Sequence, residues 1–233
     1  MTLRALLLLL VTLAFGLAPL VTPPFTGYDP GLFPVRVEAP AIQPAGYAFS
    51  IWGLIYLWLI LHAAFSLLKR RENALWDATR WPLILAIALG AAWLSIAPVA
   101  PILATVTIWV MALAAIAAFL RADTDTDRWL LSAPIAILAG WLTAAASVST
   151  GVVVSGYGLL PDTASAAVML AVTLALALWT QRQKPRMPVY GLTVIWALIG
   201  ITVKNAGINP TVAILAGLGI ALVAFALRPG RQG

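Results

Sequence analysis

The chain has 233 residues, 62% of them hydrophobic and only 9% charged, with a mean hydropathy of +0.99. A soluble domain carries about 25% charged residues, so this chain lacks the polar surface to face water all round, and a lipid bilayer is the solvent that fits. The net charge of +6 does not point to nucleic acid, because the basic residues fall in short loops between apolar runs and form no single patch or arm.

A bilayer-spanning helix needs roughly 20 apolar residues. Eight runs approach that length: 3–20, 46–68, 81–98, 102–120, 129–154, 163–181, 189–203 and 210–227. They predict an all-α membrane protein with about eight transmembrane helices. The first run, behind Arg4 and ending near the small residues Gly16 to Ala18, resembles a signal peptide, but it continues to Leu20, which favours a retained helix. Residues 21–43 form the longest loop, rich in Pro and Gly (Pro23, Pro24, Gly27, Pro30, Gly31, Pro34, Pro40). It is too long for a bare connector and is a candidate lid over whatever the helices hold.

Placing alternate loops on opposite sides tests the count. One side receives Arg4, Lys69, Arg70, Arg71, Arg80, Arg121, Arg128, Arg182, Lys184, Arg186, Arg228 and Arg231; the other receives only Arg36 and Lys204, or 12 against 2 of the 14 basic residues. The positive-inside rule then places both termini in the cytoplasm and the 21–43 loop outside.

The second run opens Pro44-Ala45-Gly46-Tyr47-Ala48-Phe49-Ser50-Ile51-Trp52 and continues to Tyr56. Trp52 and Tyr56 are four apart and share a helix face, with Tyr47 and Phe49 above them. By position alone these aromatics read as an interfacial belt with packing. The third run carries Ala91-Ala92-Trp93-Leu94-Ser95-Ile96-Ala97-Pro98. The fifth carries Pro134, then Gly140-Trp141-Leu142-Thr143-Ala144-Ala145.

In this order the motifs resemble the tryptophan-rich sensory protein family, also called the translocator protein or TspO/MBR family. The resemblance covers roughly residues 1–154. Residues 155–233 have no counterpart in the five-helix members and are similar in kind to the longer bacterial branch. The resemblance implies a five-helix bundle over 1–154 with its outer loop 21–43, and three additional helices over 155–233. It also implies a non-enzymatic protein of the bacterial inner membrane with a sensory or regulatory role. Its ligand would be a porphyrin, haem or a sterol-like molecule, bound by Tyr47, Trp52, Tyr56, Trp93 and Trp141. Flat macrocycles need wide apolar walls and few polar handles, which indole N–H and phenol O–H groups supply. The sequence departs from the family pattern at Gly90 and Ser149, each standing where the family has Asn, and the step from Phe49 to Trp52 is one residue shorter. The orientation places the expected cavity between the second, third and fifth helices, in the outer half of the membrane beneath the 21–43 loop. Trp58, Trp76, Trp81, Trp129 and Trp179 fall near helix ends and read as belt residues.

Other polar features carry two readings each. His62, within the second helix, is either an axial ligand to a tetrapyrrole metal or a neutral His bonded to a neighbouring helix. Lys204 either neutralises an anionic group of a ligand or lipid, or belongs to a helix end where Asn209 caps and Pro210 opens the next helix. Asp123, Asp125 and Asp127 have the spacing of a calcium loop but lack its Gly and terminal Glu, which favours a solvated loop. Two small-residue faces, Thr143, Ser147 and Gly151 on the fifth helix and Ala213, Gly217 and Ala221 on the eighth, are expected to pack closely. The absence of Cys and the single His exclude disulfides and a multi-His metal site. No carboxylate is expected inside a helix, which disfavours a proton-coupled pump. The rival to a ligand-binding role is a structural or assembly subunit of a larger membrane complex or homo-oligomer; a transporter of an apolar solute is a third class. Membrane lipids are partners in every case.

Overall fold

The structure, a computed structural model, describes residues 1–23 and 25–228; Pro24 of the loop and Arg231 of the basic side lie outside the described residues. Eight helices follow in order: α1 (Thr2–Val21), α2 (Ile51–Lys69), α3 (Ala74–Ile96), α4 (Pro101–Arg121), α5 (Ser132–Gly156), α6 (Asp162–Gln183), α7 (Val189–Asn205) and α8 (Pro210–Ala226). A 3₁₀ segment, Gly46–Ser50, leads into α2, and another, Pro30–Leu32, lies in the long loop. Among the described residues there is no strand. Helices α1 to α6 are long and apolar enough to cross a membrane, and α7 and α8 are apolar helices of 17 residues, the lower bound for a span. The chain is a multi-pass membrane protein.

Local chemistry sets the helix starts. Pro101 and Pro210 occupy first-turn positions where their missing N–H is not needed. Asn209 accepts from the Val212 N–H, so the turn after Lys204 is a capped helix end. Helix α3 begins at Ala74, seven residues before its expected start, because the Asn73 side chain caps it by accepting from Leu75 and Trp76. Asp77 and Arg80 broke the apolar run without breaking the helix: they pair with each other at 3.0 Å across one turn. Arg80, expected in a loop, is therefore a fully buried helical residue. Asp77, with a side chain only 10% exposed, corrects the expectation that no carboxylate lies inside a helix.

Helix α5 is the centre of the molecule. It packs against α2, α4, α6 and α7 and buries nearly all of its length. Its small face does what the spacing suggests: Thr143 and Ser147 are buried, and a Cβ on Gly151 would meet Ile42 at 2.9 Å. The face expected on α8 is corrected. That helix buries Val212, Ala216, Gly219 and Val223, whereas a Cβ on Gly217 would meet nothing within 4 Å. Small size alone does not choose between the two faces of a helix that is apolar all round.

The helices alternate in direction, so the basic residues gather at one end of the bundle. There Arg4 pairs with Asp77 at 2.6 Å and Arg70 with Asp127 at 2.7 Å, while Lys184 donates to the Ala122 carbonyl and Arg128 to that of Arg186. Asp127 also accepts from the Trp76 indole N–H. The Arg70 guanidinium holds its carboxyl below the usual carboxylate range. The three loop aspartates turn to different partners: Asp125 to Arg186, Asp123 to the Thr126 N–H. Among the described residues no group of His, Asp or Glu is placed to hold a metal. Trp76 is fully buried, which corrects its reading as a belt residue; Trp81, Trp129 and Trp179 are exposed on the apolar exterior.

Candidate functional site: an aromatic cavity under the long loop

At the end opposite the basic cluster, α1 to α5, with Ala197 of α7, surround a cavity of about 200 Å³. Its floor and walls are aromatic. Trp52 and Tyr56, one turn apart on α2, stack at 5.3 Å with their planes 19° apart. Phe15 of α1 meets both edge-on, at 5.8 and 4.9 Å. Trp141 of α5 stands edge-on to Trp52 and to Phe49. Trp93 of α3 completes the ring and donates its N–H to the Ala104 carbonyl at 2.9 Å. Of the five sequence-nominated residues, Trp52, Tyr56, Trp93 and Trp141 line this one space.

Tyr47 does not line it. It is 45% exposed and meets Trp196 of α7 edge-on at 5.7 Å. The 3₁₀ winding of Gly46–Ser50 turns the chain by a different angle per residue than an α-helix, so Tyr47 leaves the face that Trp52 and Tyr56 share. His62 also lies outside the cavity wall. Its Nδ1 is 2.7 Å from the Leu130 carbonyl, which can only accept, so Nδ1 carries the proton. The ring stacks on Trp76 at 4.9 Å. His62 thus bonds to the turn before α5, near the basic end and away from the cavity.

The roof is the first half of the long loop. Phe25 meets Trp93 edge-on at 4.8 Å. The Tyr28 hydroxyl lies 2.6 Å from Ser149 Oγ, which lies 2.6 Å from Thr105 Oγ1. Thr105 donates to the Pro101 carbonyl, so each hydroxyl has one proton to pass on and the relay runs Tyr28 to Ser149 to Thr105. Burial pushes the Tyr28 phenol above its ordinary value, which keeps it a donor. Two of the three departures from the family pattern thus find local reasons. Ser149 is short enough to receive Tyr28. Gly90 leaves room for Phe15, whose Cε2 a Cβ there would meet at 2.6 Å.

The second half of the loop is held by α6 and α7. Lys204 donates to the Pro40 carbonyl and Asn205 to that of Ala41, while Asp162 accepts the Ala41 N–H. The Gly200 carbonyl accepts from Ala45, and Trp196 donates to the Ala48 carbonyl at 2.9 Å. Lys204 is thereby committed to the loop backbone. Phe15, Phe25, Tyr28, Ile108 and Met111 also line the cavity, and the sequence pattern singles out none of them. Phe15 sits in an unbroken apolar run, and Tyr28 reaches its partner across 121 positions. The one available signal is the length and Pro content of the loop itself.

A family model described as TSPO-like protein matches residues 4–228. No curated protein and no solved structure matches the chain.

Proposed function

The chain belongs to the TSPO-like protein family, and from that premise we propose that it is a non-enzymatic receptor for a flat hydrophobic ligand, with a sensory or regulatory role. The observation that supports this is the convergence of Trp52, Tyr56, Trp93 and Trp141 on one cavity under a latched loop. Aromatic walls with few polar groups suit a planar apolar guest. The positive-inside rule puts the basic end in the cytoplasm and both termini with it, so that all eight helices span the bacterial inner membrane and the cavity opens in its outer half. In this reading residues 1–154 form the receptor bundle, and residues 155–233 buttress it by fixing the loop from Pro40 to Ala48.

A tetrapyrrole is the guest that the family resemblance suggests. The cavity, at about 200 Å³, lies below the roughly 300–1,000 Å³ of pockets that enclose drug-sized ligands. A macrocycle therefore enters only if the Tyr28–Ser149 contact opens and the loop lifts. Loop position then reports occupancy, which is what a sensor requires.

Binding is measured by quenching of Trp emission in detergent, with protoporphyrin and 2-methyl-1,4-naphthoquinone as flat probes. Each stacked aromatic contact contributes about 0.5–1.5 kcal/mol beyond buried area. Removing two, in Trp52→Ala with Trp141→Ala, weakens the binding of any accepted probe about tenfold or more. No saturable binding of either probe by the wild-type protein would end this reading and leave a scaffold role in a larger complex.

A further inference from the structure

We infer that the cavity is built for an uncharged, two-ring-sized guest bearing carbonyl-type oxygens, such as a quinone, and that it rejects guests carrying a carboxylate. The inference rests on the ligand-binding reading above and narrows it.

Three observations carry it. The first is charge. Among the described residues, none that lines the cavity is charged. On the loop side the lining is Pro19, Pro23, Phe25, Gly27, Tyr28 and Gln43, so an acidic guest finds no cation in the lining. Lys204, the nearest candidate by sequence reasoning, is engaged with the Pro40 carbonyl instead. An anion in such a place loses its hydration without a compensating partner.

The second is the state of the donors. Five wall residues carry an indole N–H or a phenol O–H. Trp93 gives its proton to Ala104 and Tyr28 donates to Ser149. Trp52, Tyr56 and Trp141 have no hydrogen-bond partner among the described residues, yet all three rings line the cavity. Lipid cannot satisfy an N–H or O–H within the membrane. A guest that presents acceptor oxygens to these donors does, and a pure hydrocarbon does not.

The third is size. The cavity volume suits a bicyclic ring system and is exceeded by a porphyrin, and Trp52 with Tyr56 offers one extended stacked wall. A fused bicyclic quinone matches this wall in shape and presents a carbonyl on each side of its ring.

Three probes on one fused two-ring frame separate these requirements by equilibrium dialysis in detergent: 2-methyl-1,4-naphthoquinone, 1,4-naphthoquinone-2-sulfonate and 2-methylnaphthalene. The chain has no Cys, so a quinone has no thiol to alkylate and its uptake reads as reversible binding. The neutral quinone is expected to bind about tenfold or more tighter than the hydrocarbon, and the sulfonate not to saturate. Tyr56→Phe with Trp141→Phe keeps an aromatic ring at each position and removes two donors, so it brings the quinone down towards the hydrocarbon while lowering the hydrocarbon far less. A sulfonate that binds as tightly as the quinone, or a quinone no better than the hydrocarbon, overturns the inference. Saturable binding of protoporphyrin alone also overturns it and leaves the receptor reading standing. Failure of protoporphyrin and all three probes defeats both.

Discussion

Arg80→Met should be the most destabilising single substitution among the basic residues, at about 3–5 kcal/mol, the loss expected when one partner of a buried ion pair is removed. The reason lies in what this one guanidinium holds. Arg80 is 0% exposed. Its Nη1 donates to the carbonyls of Arg71 and Met1, at 2.8 and 3.2 Å, and to Asp77 Oδ1 at 3.0 Å. Its Nη2 donates to the Arg70 carbonyl at 2.8 Å, and Nη2 and Nε both reach Ser66 Oγ. It therefore closes the carbonyl end of α2, the start of α1 and the first turn of α3 together. Methionine fills much of the space but leaves those carbonyls unpaired. Asp77 is then left with Arg4, whose side chain is 41% exposed. Lysine should rescue only part of the loss, because one ammonium cannot span acceptors set around a planar fork. Unfolding in mixed micelles titrated with dodecyl sulfate measures this against Arg121→Met, whose guanidinium, among the described residues, bonds to the Ala117 carbonyl one turn back. Equal losses for the two variants would show that the buried clasp contributes nothing.

Gly140→Val should be the next most disruptive change, because it drives α5 and α7 apart. A Cβ on Gly140 would lie 2.6 Å from the Tyr190 carbonyl oxygen and 2.9 Å from Thr193 Cβ. A backbone atom cannot rotate away, so α7 as a whole must shift. Overpacking of this kind costs about 1–3 kcal/mol or more, and valine adds two methyl groups to the clash. The shift propagates to function, since α7 carries Trp196, Gly200 and Asn205, all bonded to the loop that roofs the cavity. Gly217→Ala, on the open face of α8, is expected to be neutral or to gain up to about 1 kcal/mol from helix propensity. Thermal unfolding of the two variants beside wild type reads the contrast. A Gly140→Val protein as stable as Gly217→Ala would refute the close α5–α7 crossing.

How much of this was legible beforehand depends on where each signal resides. Helix number and alternation are written in apolar length and loop charge, and both survive translation into structure. The start of α3 was hidden because Asp77 and Arg80 look like loop residues until their pairing is seen. The packing face of α8 was hidden for the opposite reason: with apolar residues all round, no periodicity marks one side. In the site, Trp52 and Tyr56 declared themselves by their four-residue spacing, and Trp93 and Trp141 by resemblance. Tyr47 was misplaced by a short 3₁₀ segment that no composition rule announces. Phe15, Phe25 and Tyr28 belong to contacts between distant parts of the chain, which a single sequence does not display. The meaning of Ser149 emerges only with Tyr28 beside it: a lost amide becomes the latch of the loop.

The most direct test of an occupied cavity beneath the loop is the number of 2-methyl-1,4-naphthoquinone molecules bound per chain by wild type and by Ala145→Phe. Ala145 lines the cavity and is partly exposed within it, so the phenyl group fills the space while Trp52, Tyr56, Trp93 and Trp141 stay unchanged. The predicted result is saturation near one molecule per chain in the wild type, and affinity at least about tenfold lower in a variant that melts at the same temperature. Equal uptake by both proteins would place the probe elsewhere, in detergent or on the lipid-facing surface, and would contradict the account.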